Sequence, residues 1–153
     1  MRTIIHQLKY YGKLHLAEHL GQAMAELLIK DKKIRGADFI IPVPLHKVKK
    51  RSRGFNQSEL LARKISQISG ISVIDNVFIR KRYTENQSLL PIDERAKNVE
   101  GAFELINSDI LQGKNLVLVD DIITTGSTVN ECIKVLMEAG SGSVTALTAA
   151  LSA

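Results

Sequence analysis

The stretch Leu116-Val117-Leu118-Val119-Asp120-Asp121-Ile122-Ile123-Thr124-Thr125-Gly126-Ser127-Thr128 decides how the chain is read. The run from Asn115 to Asp120 is apolar enough to be a strand buried on both faces of a parallel sheet. Two acids close it, and a turn rich in Thr, Gly and Ser follows. Val129, Cys132, Ile133, Leu136 and Met137 then fall at i, i+3, i+4, i+7 and i+8, which predicts a helix directly after the turn. Gly140 is a natural stop for that helix, and Val144–Leu151 reads as the last strand.

Upstream, Leu16, Leu20, Ala23 and Leu27 predict an amphipathic helix over 14–30. The basic stretch Lys30–Arg35 and Gly36 end it. Asp38–Val43 is a short apolar strand stopped by Pro44. Asn56 or Ser58 starts a helix running to about Ser69, with Leu61, Ile65 and Ile68 on its buried face. Val73–Arg80 and Gly101–Ile106 read as strands. Lys81–Asn98 is long, polar and without period, the pattern of a functional loop. Alternating strands and helices predict an α/β domain, 1–153, with a mainly parallel sheet of four or five strands flanked by helices.

The chemistry follows from the turn. Ligands of open α/β sheets bind at the carboxyl ends of the strands. A helix N-terminus there presents unpaired N–H groups and a partial positive charge, which suits a phosphate. Gly126 lets the backbone approach closely, and Thr124, Thr125, Ser127 and Thr128 add hydroxyl donors. Carboxylates repel phosphate but accept well from vicinal hydroxyls. Asp120 and Asp121 therefore fit a sugar, and the hydroxyl loop fits its phosphate. Simple Ser/Thr capping needs one such residue, not four beside two acids. No Gly-Lys-Ser/Thr opens the helix, which excludes a Walker A loop.

The thirteen residues resemble the signature with which type I phosphoribosyltransferases hold the ribose 5-phosphate part of 5-phosphoribosyl-1-pyrophosphate (PRPP). With Pro42-Val43-Pro44-Leu45-His46, Arg53-Gly54-Phe55-Asn56-Gln57, and Arg80, Thr84, Gln87, Arg95 and Asn98, the chain is similar to the phosphoribosyltransferase domain of the ComF/GntX group from about Leu8 onward. That group is associated with DNA uptake in competent bacteria. The resemblance implies the type I phosphoribosyltransferase fold. It implies displacement of pyrophosphate from PRPP by an unidentified nitrogen nucleophile. Asp120 and Asp121 would hold the ribose, Thr124–Thr128 the 5-phosphate, and Pro44, Leu45, His46 and Lys47 the pyrophosphate through backbone N–H groups. Arg53, Arg80, Arg82 and Arg95 are candidate cations of the flexible loop and basic segments. Mg2+ is the expected cofactor, with no direct protein ligand and Asp121 reaching it through water. Non-catalytic PRPP binding and a DNA-uptake role remain alternatives, and a homodimer is admitted. Many relatives carry a cysteine-rich zinc module before this domain, which a single cysteine cannot make.

Composition narrows the classes. A net charge of +5, from 21 Lys and Arg against 16 Asp and Glu, suits an anionic partner. Three Tyr, four Phe and no Trp are too few for a single-strand stacking platform, so at most weak single-stranded DNA binding is expected. Lys47, Lys49, Lys50, Arg51 and Arg53 form a basic cluster, read either as an anion site or as a solvated surface. Nothing approaches the roughly 20 apolar residues of a membrane helix, and residues 1–7 lack a signal-peptide core, so a cytoplasmic protein is expected. Cys132 reads as a buried small hydrophobe. His15 and His19 share a helix flank with no further metal ligand in reach of the pattern, and read as solvated.

Overall fold

A computed structural model of the chain describes residues 5, 7, 8, 13–84 and 90–151. Gln87 lies outside them. The elements are α1 (His15–Lys30), β1 (Phe39–Pro42), α2 (Lys47–Arg53), α3 (Gln57–Ser69), β2 (Ser72–Val73), β3 (Phe78–Arg80), α4 (Glu94–Val99), β4 (Phe103–Leu105), β5 (Asn115–Ile123), α5 (Ser127–Glu138) and β6 (Ser143–Leu151). A parallel sheet in the order β2-β1-β5-β6 forms the middle layer. Its register pairs Pro42 with Val119 and carries β6 alongside β5 as far as Ile123↔Leu151.

The apolar run of β5 explains its central place. Val117 and Val119 join one core with Leu20, Leu28, Leu61 and Ile65 of α1 and α3. Leu116 and Leu118 join a second core with Val99, Phe103 and Leu136 on the opposite face. Successive strand residues point to opposite faces, so a strand covered on both sides must be apolar throughout.

Four expectations are corrected. Val73–Arg80 is two strands in different sheets. After Ile74 donates to the Ile40 carbonyl, the chain bends at Asn76-Val77, and Phe78–Arg80 then pairs antiparallel with Phe103–Leu105. Lys81–Asn98 is not a loop throughout, because α4 occupies its end. The buried face of α1 is Ala17, Leu20, Gly21, Met24, Ala25 and Leu28, while Ala23 and Leu27 are exposed. Small residues let α1 approach α3 closely, and that contact outweighs the leucine stripe. Ile68 and Met137 are likewise exposed. Among the described residues, no helix is long and apolar enough to cross a membrane. His15 and His19 are exposed, and Cys132 is buried.

Candidate functional site

β1 stops pairing at Pro42↔Val119, whereas β5 runs on beside β6 to Ile123. The difference in length leaves a notch at the carboxyl edge of the sheet, where a cleft of about 200 Å³ opens. Its walls include Asp120, Asp121 and all of Thr124–Thr128, so the whole acid and hydroxyl segment lines one cavity. Asp121 is buried and Asp120 half-buried. As neighbours on a strand they leave it on opposite faces and stand on different walls.

The turn is built by Gly126, whose φ of 80° is left-handed, a conformation costly for any side chain bearing a Cβ. Gly126 is the N-cap of α5 and supplies no side-chain cap. The start of the helix is therefore stabilised by no Ser/Thr cap at that position, and its dipole faces the cleft. The Thr125 and Ser127 hydroxyls lie 2.9 Å apart, and Thr124 and Thr125 are exposed, so hydroxyls and helix start converge on the opening.

The first loop contributes in part. Pro44 and Leu45 line the cleft. His46 and Lys47 do not. His46 is buried, its Nδ1 accepts from the Val48 amide at 3.3 Å as the N-cap of α2, and its ring meets Tyr83 edge-on at 5.4 Å. Lys47 is exposed. The basic cluster that follows is the helix α2, which delivers Lys49 and Arg53 to the cleft. Lys49 also donates to the Thr84 carbonyl at 2.8 Å.

Of the remaining arginines, only Arg80 reaches the site. It is the last residue of β3, so a strand, not a loop, fixes it. Its guanidinium lies 5.2 Å from the Phe103 ring centre and donates to the Thr84 hydroxyl. Burial lowers its pKa from the ordinary arginine value, opposed by nearby Cys132 and Asp120. Arginine stays charged regardless, so this is a partly desolvated cation beside the acids. Arg82 donates to the Asn98 and Glu100 carbonyls at 3.1 and 2.7 Å, and Arg95 to the Leu90 carbonyl at 3.1 Å. Both brace the segment around α4 and stand outside the cleft lining.

Sequence reasoning missed Gln57 and Ser58 as lining residues. The available signal was the polar stretch Asn56-Gln57-Ser58, opening a helix whose core positions begin at Leu61. All three are buried. Buried polar side chains are costly unless paired, so three in succession mark a site. The amide nitrogen of Gln57 has no hydrogen-bond partner among the described residues.

Comparison with known proteins places the chain in a family. Residues 16–151 match the family model described as the phosphoribosyl transferase domain, and the chain belongs to that family, as a type I phosphoribosyltransferase domain of the ComF-like group. It is 32% identical over 145 residues to competence protein F of Haemophilus influenzae, covering 92% of this chain and 63% of that one. It is 33% identical over 147 residues to the DNA utilization protein YhgH of Escherichia coli K12, covering 94% and 64%. The chain thus spans just under two thirds of the length of these curated relatives. Among solved structures, the glutamine phosphoribosylpyrophosphate amidotransferase of B. subtilis superposes with a TM-score of 0.58 at 23% identity, over 87% of this chain and 26% of that one. At that identity the likeness is one of fold.

Proposed function

We propose that the cleft binds PRPP with Mg2+ and that the domain transfers the phosphoribosyl group to a nitrogen nucleophile, releasing pyrophosphate. The observation that carries this reading is the convergence of an acid pair, an uncapped helix start at Gly126 and the half-buried cation Arg80 on one notch in the sheet. The acids suit ribose hydroxyls, the helix start suits the 5-phosphate, and Arg80 with Lys49 and Arg53 suits a pyrophosphate. Cleavage at the anomeric carbon leaves positive charge on the sugar ring and negative charge on the leaving group. Fixed cations and dipoles at the leaving group, with carboxylates at the sugar, stabilise that separation.

The donor set fits Mg2+ held largely by the ligand. Among the described residues, no three His, Cys, Asp or Glu groups gather into a metal cage. Mg2+ prefers oxygen and keeps several waters, commonly binding through substrate phosphates with one or two carboxylates. Asp121 is the residue to reach it through water, and the ion would neutralise pyrophosphate oxygens. Calorimetry with PRPP and Mg2+ tests the reading. The wild type is expected to bind, and a folded Asp120→Asn, Asp121→Asn double variant to lose binding; unchanged affinity in that variant would overturn the ribose assignment.

The relatives' names, competence protein F and DNA utilization protein, favour a second reading, a competence or DNA-uptake role for which turnover of PRPP is not required. A pyrophosphate-release screen over amine and nucleobase acceptors separates the two. The modest charge and sparse aromatics predict single-stranded DNA binding that is weak and disappears at high salt.

A further inference from the structure

The parallel ladder between β1 and β5 ends in an unusual way. The Val43 amide donates to the Val119 carbonyl at 2.8 Å. The next rung of a parallel ladder would join the Asp121 N–H to the Val43 carbonyl. Both groups are engaged elsewhere. The Val43 carbonyl accepts from Asn56 Nδ2 at 3.0 Å, and the Asp121 N–H donates to Asp120 Oδ1 at 2.8 Å. That same oxygen accepts from the Ser58 hydroxyl at 3.0 Å. Asn56 and Ser58 are joined in turn, because Asn56 Oδ1 accepts from the Ser58 amide at 3.1 Å. One rung of the sheet has been replaced by a bridge of side chains through the start of α3.

We propose that Asn56 and Ser58 are positioning residues, a strap that holds the sheet open at the cleft and fixes the orientation of the Asp120 carboxylate for ribose recognition. Three features separate the strap from ordinary helix capping. Capping needs only the bond from Asn56 Oδ1 to the Ser58 amide. The amide side of Asn56 instead reaches back to the last residue before Pro44, and the Ser58 hydroxyl reaches forward to the acid. Both side chains are almost fully buried, at 3% and 4% exposure, where an unused polar group is costly. And two donors converge on one oxygen of Asp120, which sets the plane of the carboxylate. The strap therefore ties the loop expected to meet pyrophosphate to the acid expected to meet ribose.

The role in ribose recognition rests on the PRPP reading, and the closing experiment keeps the two apart. Ser58→Ala is compared with Ser58→Thr, which keeps the hydroxyl, and with Asn56→Ser, which keeps a helix cap but loses the amide donor. Affinity is measured for PRPP with Mg2+ and for inorganic phosphate alone, and hydrogen exchange is followed at the Asp121 amide without ligand. Ser58→Ala and Asn56→Ser are expected to weaken PRPP about 10-fold, the scale of a hydrogen bond to a charged group, while phosphate binding stays the same. Exchange at Asp121 is expected to quicken in both, and Ser58→Thr to behave as wild type. Equal losses for PRPP and phosphate would make the residues merely structural and overturn the strap, as would unchanged Asp121 exchange in Ser58→Ala. Failure of the wild type to bind PRPP would overturn the functional reading, and Asp121 exchange would still decide whether the strap holds the acid.

Discussion

Gly21 of α1 faces Lys64 of α3 so closely that a Cβ added at Gly21 would stand 2.6 Å from the Lys64 Cβ. The atom it would meet lies next to the backbone, so it cannot swing aside. Overpacking of this kind costs about 1–3 kcal/mol, against about 1 kcal/mol gained by replacing glycine in a helix. Gly21→Ala is therefore expected to be a net loss of up to about 2 kcal/mol, read as a melting temperature lower by as much as several degrees. A rise in melting temperature would show that the two helices separate more easily than their packing implies.

Gly126 and Gly70 share nearly the same backbone, with φ of 80° and 75°. Gly70 ends α3, and a Cβ there would meet nothing within 4 Å. Valine at either position is expected to cost at least about 1–2 kcal/mol, the scale of the left-handed penalty. Gly126→Val should also abolish PRPP binding, whereas Gly70→Val should spare it. Calorimetry on the two folded variants makes the comparison, and equal PRPP affinities would place the phosphate elsewhere.

The Gln57 amide nitrogen, without a partner among the described residues, predicts opposite effects on stability and binding. A buried donor without a partner costs about 1–3 kcal/mol. Gln57→Met keeps the shape and removes the donor, so the free protein should melt a few degrees higher. PRPP affinity should fall, since Gln57 is among the residues that line the cleft. A variant that is both stabilised and fully competent would show that Gln57 has no part in binding.

Acid sensitivity is expected at the far end of β5. Asp38 Oδ2 accepts from the Asn115 amide at 2.8 Å, and Lys114 Nζ lies 3.4 Å from the other oxygen. The Asn115 bond foremost holds the carboxyl below its ordinary value; desolvation opposes it, and Lys114 adds to the lowering. The folded form thus binds the proton less readily than the unfolded chain. Its stabilising contribution is complete above the unfolded value, about 3.9, and is lost as pH falls through the lower folded one. Denaturant melts of Asp38→Asn between pH 5 and 2 should show a flatter acid limb than the wild type; parallel limbs would refute the assignment.

Much of this was legible in the sequence where the deciding forces are local. Asn115–Ile123 and Ser127–Glu138 announce themselves by composition and period, and Gly126 and Gly140 by the conformations they permit. The residues read as a phosphate loop all line one cleft. What stayed hidden depends on partners distant in the chain. The α1 face is chosen by its fit to α3, which no periodicity in α1 alone records. α2 buries no residue, so Lys47–Arg53 has no apolar stripe to betray it. The pairing of Arg80 with Phe103 spans the whole of α4 and its approaches, and it turns a supposed loop cation into a fixed one. Ser58 is brought to Asp120 across 62 positions, a distance over which sequence spacing carries no information.

The burial of Cys132 gives the molecule a built-in clock. Its side chain is fully enclosed on the inner face of α5, and burial pushes its thiol well above the usual range. The thiolate is the reactive species, so the native state shields this sulfur twice, by access and by ionisation. With no other cysteine in the chain, modification by a thiol reagent would count the moments when α5 lifts from the sheet. Any molecule that grips the start of α5 should make those moments rarer. The rate of labelling would then report occupancy of the cleft with no labelled ligand, catalysis or acceptor required in advance.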